Sequence, residues 1–198
     1  SSGLVDRVDV SHFRLSVHLI IAFLILSLIL WNYFILKFKK GSNKNLKIIL
    51  PIIFLSMIYL QIIIGAFVSG MDAGQIYNSW PLMGSNYFPD DNRYLNLFKL
   101  SAFNDPSLVQ FIHRNLAYLI LIFYIFLMFK VYSNKLSYLF FSVNLLGIIL
   151  LIQILLGILT LLNGAQIFLA SMHQISSIFL VSSSIYFLYL NSNQQPSS

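Results

Sequence analysis

A histidine and an arginine, His113 and Arg114, lie next to each other inside a long apolar run of the sequence. Ionisable side chains at membrane depth are costly and persist mainly where a polar or charged group needs them, so this pair indicates a functional site. Two further histidines, His18 and His173, lie deep in other apolar runs. Histidine is a common axial ligand of heme iron, so three buried imidazoles at one level suggest heme binding.

The composition is that of a protein that crosses the membrane several times. Of 198 residues, 58% are hydrophobic and 9% are charged, and the mean hydropathy is +0.81. The sequence contains neither Cys nor Glu. This excludes disulfides, iron–sulfur clusters, thiolate-ligated or covalently attached heme, and a Glu-rich di-metal centre. The net charge of +6 resides largely in loops next to apolar runs, so we do not expect nucleic acid binding.

Five apolar segments are long enough to cross about 30 Å of hydrocarbon as helices. They cover residues 13–36, 48–68, 108–129, 136–162 and 166–190. The loop between the first two holds five lysines, and Lys130 and Lys135 lie between the third and fourth. Because positively charged loops stay in the cytoplasm, we expect the N-terminus of this chain outside and the C-terminus inside.

Two of the predicted helical hairpins share one pattern. Each has a Gln, a Gly four residues later and a His in the following helix: Gln61, Gly65 and His113 in one, Gln153, Gly157 and His173 in the other. Both histidines are expected about 10 Å inside the outer helix ends, at 1.5 Å per residue. Small residues let helices or a flat macrocycle approach closely. The pattern therefore predicts that the last four helices form a heme-binding bundle in which two imidazoles supply both axial ligands.

Other side chains near this level have both a functional and a plain structural interpretation. Arg114 could bind the carboxylates of a heme through its planar guanidinium. A membrane histidine can instead hydrogen-bond a neighbouring helix, and Gly65 and Gly157 can serve packing alone. His12 is expected at the water boundary, as an ordinary solvated histidine.

The long outer loop, residues 69–107, is the only large segment predicted outside the membrane. Its aromatic content favours an ordered cap that lies on the outer surface. Tyr77 and Trp80 could equally form part of an interfacial aromatic belt. Asp72 is expected to cap or turn the chain where the second helix ends.

Four stretches resemble the heme A synthase family, which oxidises a methyl group of heme O to the formyl group of heme A for cytochrome oxidase. Residues 65–84 resemble its loop signature, residues 110–114 and the helix around His173 match in order and spacing, and residues 2–19 resemble the start of its fourth helix. The absence of Cys agrees with the branch found in proteobacteria and mitochondria. Family membership implies two similar four-helix bundles. Residues 1–45 would be the last helix of the first bundle plus a cytoplasmic loop, and residues 46–198 would be the second bundle.

The same resemblance implies roles for three histidines and a set of partners. His113 and His173 would ligate the iron of a permanent heme b, while His18 would be catalytic and bind the iron of the substrate, heme O. The family's first bundle also carries a partner histidine and a catalytic glutamate, which this sequence lacks, so the chain alone is expected to be inactive. The implied location is the bacterial inner membrane, with lipid, heme O synthase, cytochrome oxidase assembly factors or a second copy of the chain as partners.

Two other functions are compatible with parts of the sequence. A non-catalytic b-type cytochrome subunit or heme carrier would share the two histidines but would not require the 72–84 loop signature. A transporter would show helices broken by Gly or Pro near the membrane midplane, and none of the five segments has such a break.

Overall fold

The protein is all-helical in the computed structural model, which describes residues 11–38 and 46–192. Its helices are α1 (His12–Lys37), α2 (Ile49–Gly70), α3 (Pro106–Ser133), α4 (Ser137–Leu162) and α5 (Ile167–Ser192). All five are long and apolar enough to cross a membrane. The predicted all-α membrane class and all five helix positions are confirmed. The largest difference is at α3, which ends at Ser133 instead of residue 129.

Helices α2 to α5 pack in a ring in which each contacts the next and α5 closes on α2. Within the described residues, α3 and α5 lie across the ring from each other and make few contacts. Helix α1 packs outside the ring against α2 and α5. Its assignment to another bundle stays a prediction, and most of the lysine-rich linker after it, residues 39–45, lies outside the described residues.

Along the length of the helices, the half of the ring nearest the turn between α3 and α4 is here called the inner half, and it is closely packed. Its fully buried side chains include Leu127, Val131, Leu139, Val143 and Leu146. Gly147 lets the Tyr124 ring approach α4, where its hydroxyl donates to the Val143 carbonyl at 3.1 Å. A buried tyrosine hydroxyl that finds an acceptor avoids the cost of an unpaired polar group.

The outer ends of α4 and α5 are packed less closely, whereas those of α2 and α3 hold the buried residues Ile64, Phe67 and Val109. No residue from 151 to 175, which covers the outer ends of α4 and α5, is buried. On the outward surface, large apolar side chains such as Leu28, Ile122 and Phe141 are 64%, 63% and 69% exposed. An apolar surface of this extent is the one a lipid bilayer would cover.

The outer loop is an ordered cap over the outer helix ends. It starts at Asp72, whose φ of 50° turns the chain as predicted. Asn78 donates to the carbonyls of Gly74 at 2.9 Å and Leu161 at 3.0 Å, which ties the loop to the end of α4. The loop ends at Asp105, whose side chain accepts the Leu108 N–H at 3.1 Å and so caps the start of α3.

Candidate heme-binding site

His113 and His173 occupy equivalent positions in two helical hairpins. His113 lies seven residues after the start of α3, and His173 lies six residues after the start of α5. At 1.5 Å per residue both are roughly 10 Å from the outer helix ends, in agreement with the predicted depth. Both side chains are partly buried, on the two helices that lie across the ring from each other.

In the first hairpin, α2 holds the His113 ring through a glutamine and a glycine. The amide nitrogen of Gln61 donates to the His113 carbonyl at 3.0 Å and lies 3.3 Å from Nε2 of the ring. A Cβ at Gly65 would lie only 3.1 Å from Cε1 of the ring, so a glycine is needed for the imidazole to lie here unstrained. Nδ1 of His113 is buried and has no hydrogen-bond partner among the described residues.

The second hairpin repeats this arrangement with α4 and α5. The amide nitrogen of Gln153 donates to the His173 carbonyl at 3.0 Å and lies 3.3 Å from Nδ1 of the ring. A Cβ at Gly157 would lie 3.0 Å from Cε1. Nδ1 also lies 3.1 Å from the backbone carbonyl oxygen of Gln153. An Nδ1–H that donates to this carbonyl leaves the lone pair of Nε2 free for a ligand.

These residues fit a heme held by two histidines. Imidazole is a suitable axial ligand for heme iron, and a glycine that leaves room for the ring accompanies each histidine. The buried, unpartnered Nδ1 of His113 shows that this ring has unused polar capacity at the site. On the α4 and α5 side of this level, residues 151–175 include no buried side chain.

Two other histidines differ from their predicted surroundings. His18 is exposed on α1, so it does not share the partly buried setting of His113 and His173, and the predicted common level of the three imidazoles stays a prediction. No group of three metal-binding side chains comes together in the part of the chain that the structure describes. His12 is not freely solvated. Its ring packs against Phe13 and Phe67 at 4.2 and 5.2 Å, and its buried Nε2 lacks a partner among the described residues.

Arg114 binds the outer loop. Its guanidinium donates to the carbonyls of Ser79 at 2.8 Å, Leu82 at 3.2 Å and Tyr77 at 2.9 Å. Gln110, one turn earlier on α3, donates to the same Tyr77 carbonyl at 3.1 Å. The predicted contact of Arg114 with heme carboxylates stays a prediction. Three of the five guanidinium N–H groups are committed to the loop, which leaves Nε, buried and unpartnered among the described residues, and one N–H of Nη2 for such a contact.

A carboxylate fixes the same loop from its other side. Asp91 accepts hydrogen bonds from the hydroxyls of Ser107 at 2.6 Å and Tyr77 at 3.1 Å. Partial burial tends to raise the pKa of the Asp91 carboxyl, but these hydrogen bonds more than offset it and hold that pKa below its ordinary value. The ionised carboxylate therefore stabilises the ordered loop.

Sequence reasoning identified the histidines and glycines but missed what holds them. Gln61 and Gln153 stood out only as repeated residues, although each contacts its histidine directly. The grip of Gln110 on the loop was not predicted either. The repeat could have indicated that the glutamines face the histidines, because each glutamine precedes its glycine by four positions and so lies on the same helix face.

Comparison with known proteins decides the family. Residues 1–185 match the model of the COX15-CtaA family, described as cytochrome oxidase assembly protein. The chain belongs to this family. The resemblance found in the sequence is thereby confirmed, and the chain is an integral membrane protein of the COX15-CtaA family.

Curated relatives in the COX15-CtaA family carry the name heme A synthase. One from Pelagibacter ubique is 50% identical over 194 residues, which cover 98% of this chain and 57% of that protein. Others from Rickettsia bellii and Wolbachia pipientis are 43% and 42% identical, covering 91% and 94% of this chain and 55% and 53% of those proteins. The chain thus spans a little over half the length of the curated relatives it matches. No solved structure gives a significant match.

Proposed function

We propose that this chain is the C-terminal portion of a heme A synthase, which oxidises the methyl group of heme O to the formyl group of heme A for cytochrome oxidase. The names of its relatives support this function, with 50% identity over nearly the whole chain for one of them. The observation that carries the proposal is the paired constellation of glutamine, glycine and histidine in two hairpins. Such a repeat is suited to one flat cofactor between two helices.

In this proposal His113 and His173 hold a permanent heme b, and His18 acts at a separate site for the substrate, heme O. A heme b, when bound, would supply one-electron transfer. With both histidines committed to holding that group, oxidation of the substrate would take place at another site. His18 is exposed on α1 in this chain, which suits a site completed by residues outside the chain.

The other residues of the site bind, orient and shield. Gly65 and Gly157 leave room for the rings, while Gln61 and Gln153 fix the turns of helix that carry them. Arg114 holds the outer loop across the outer helix ends, where it limits access of water to the level of the histidines.

Location and partners follow from the same function. We place the protein in a bacterial inner membrane, with the start of this chain outside and its C-terminus in the cytoplasm. Heme O synthase and cytochrome oxidase assembly factors are the proposed protein partners, beside membrane lipid and a second copy of the chain. A non-catalytic b-type cytochrome subunit or heme carrier is not favoured, because the relatives are named heme A synthases.

A reduced-minus-oxidised optical spectrum of the purified chain in lipid nanodiscs tests the heme site. The expected result is a low-spin b-type spectrum that is lost in His113→Ala and in His173→Ala. His18→Ala is the matched control and should keep the spectrum, since His18 lies on the exposed face of α1. A folded wild-type chain without heme, or a spectrum that survives both substitutions, would refute the site.

The catalytic role of His18 needs the full-length enzyme. There His18→Ala should abolish conversion of heme O to heme A while the b-type spectrum remains. Unchanged heme A formation in that variant would remove His18 from the reaction.

A further inference from the structure

The two histidine arms differ beyond their first contacts. The first arm is His113 with Gln61 and Gly65, and the second arm is His173 with Gln153 and Gly157. In the second arm, the Ser176 hydroxyl contacts both Oε1 of Gln153 and the His173 carbonyl, the latter at 2.8 Å. The hydroxyl has one proton, and when it is donated to Oε1 the glutamine of this arm is bonded through both its nitrogen and its oxygen.

The first arm has no such bond. The position three residues after His113 is Leu116, which cannot hydrogen-bond. Oε1 of Gln61 is buried and has no partner among the described residues. A buried polar atom left unpaired contributes little holding energy and carries a desolvation cost.

The hydrogen-bonding contacts of the two imidazole rings also differ, and again the second arm has more of them. Nδ1 of His173 faces the Gln153 backbone carbonyl at 3.1 Å, an acceptor that fixes both the ring orientation and the tautomer. Nδ1 of His113 is buried without a partner in the described chain. The second ring is thus held at Nδ1 by a backbone acceptor, whereas the first has the Gln61 amide as its only hydrogen-bonding neighbour among the described residues.

We propose that Gln61 and Gln153 are positioning residues for the two heme-ligating histidines, and that Ser176 makes the second arm the rigid one. This inference rests on the proposed heme site. His173 is then the ligand with a fixed orientation, and His113 is the ligand that adjusts to the iron. Neither glutamine touches the iron, because each acts through the imidazole or the backbone of its histidine.

The asymmetry predicts unequal effects of matched substitutions. Removing a partner of a metal ligand typically lowers metal affinity by about 10-fold to 100-fold, which we expect for Gln153→Leu. Gln61→Leu should cost less than about fivefold, because replacing a half-satisfied buried amide by an apolar group of similar shape can be nearly neutral. Ser176→Ala should follow Gln153→Leu in direction, with a smaller effect.

The midpoint potential gives a readout that a packing role would not move. An Nδ1–H donated to an acceptor makes the imidazole a more basic ligand, which favours ferric iron. Gln153→Leu and Ser176→Ala loosen that geometry and should raise the potential. A tenfold selective loss of affinity for the ferric form corresponds to about 59 mV for a one-electron couple.

The experiment uses the whole chain in nanodiscs, titrated with heme b and then with a redox mediator set. Ser177→Ala is the matched control, because Ser177 is the next residue on α5, is similarly buried, and donates to the Gln174 carbonyl and to neither arm among the described residues. It should leave affinity and potential unchanged. Leu116→Ser tests the converse, since a hydroxyl in reach of Gln61 should slow heme dissociation severalfold.

The outcomes separate this inference from the proposed function. Equal effects of Gln61→Leu and Gln153→Leu, or a Ser176→Ala variant that behaves like Ser177→Ala, overturn the asymmetry while the heme site stands. A wild-type chain that binds no heme overturns both. Thermal unfolding of the heme-free variants identifies any general loss of fold, and Ser176→Ala, which removes one hydroxyl, keeps the test valid if Gln153→Leu unfolds.

Discussion

Replacing Gly65 or Gly157 by alanine is expected to weaken heme binding without a matching loss of helix stability. The new Cβ would lie 3.1 Å from Cε1 of His113 in the first case and 3.0 Å from Cε1 of His173 in the second. Carbon atoms pack best at about 3.5 to 4.0 Å, so each ring must move by roughly 0.4 to 1.0 Å. A ligand ring displaced by this amount can no longer meet the iron in its preferred position.

Two opposing free energies act on the heme-free chain. Overpacking typically costs about 1 to 3 kcal/mol, whereas alanine is favoured over glycine within a helix by about 1 kcal/mol. The net loss of unfolding free energy is therefore between roughly zero and 2 kcal/mol. Heme binding suffers more, because the bound iron prevents the ring from moving away from the new methyl group. A loss of about 1.4 kcal/mol in binding is tenfold in affinity, and we expect at least that.

Heme titration followed by Soret absorbance, with thermal unfolding of the heme-free chain, measures the two quantities separately. Gly147→Ala is the control, because Gly147 lies on α4 ten residues before Gly157 and its Cβ would meet the hydroxyl of Tyr124 on α3 instead of a histidine. It should lower stability and leave heme affinity near the wild-type value. Wild-type affinity and an unchanged spectrum in Gly65→Ala and Gly157→Ala would refute the reasoning.

Three further predictions concern the outer loop. Arg114→Lys replaces a planar guanidinium, which can donate in several directions, by a single ammonium group. Each lost hydrogen bond to a charged group is worth roughly 1.5 to 3 kcal/mol, so added protease should cut the loop at least about tenfold faster. Unchanged cleavage would show that Arg114 does not hold the loop. Because the pKa of Asp91 is lowered in the folded chain, its stabilisation of the loop is present above the unfolded-state pKa and is lost as the pH falls through the folded-state pKa. Acidification should therefore speed cleavage of the loop by protease. The Asp91→Asn chain should be cut faster at neutral pH, and its cleavage rate should depend less on pH. Equal pH dependence in both chains would contradict this assignment. Phe98 is 87% exposed in the loop and should lie against the outer leaflet of the membrane. In a chain with Trp31 and Trp80 replaced by Phe, the tryptophan of Phe98→Trp should fluoresce at short wavelength and be quenched by spin-labelled lipid. Long-wavelength, unquenched fluorescence would place this part of the loop in water.

The helices were predictable because length and apolarity are set within each segment. The errors lie at the helix ends, where a few polar residues determine the residue at which the helix begins or ends. Helix α3 starts two residues earlier than predicted, since Asp105 caps it and Pro106 occupies its first turn. It also continues past Lys130 to Ser133, because a long cationic side chain near a helix end can reach the interface and need not end the helix.

The surroundings of the histidines were predictable only where the sequence repeats. The paired patterns predicted the depth of His113 and His173 correctly, because depth follows from position along a helix. Burial depends on which elements pack against a residue, and a single sequence does not show this. His18 therefore proved exposed, and His12 proved to pack against Phe67 from a different helix.

The adjacent residues His113 and Arg114 contact different parts of the protein, because successive side chains on an α-helix point about 100° apart. The His113 ring meets Gly65 within the ring of helices, while Arg114 reaches the carbonyls of Ser79 and Tyr77 in the loop. One turn of α3 thus carries both a proposed heme ligand and the main anchor of the cap. Because the two residues are adjacent on one helical turn, we expect a displacement of the loop to move His113 as well. The outer loop is therefore linked to the proposed site through the turn of α3 that carries both residues.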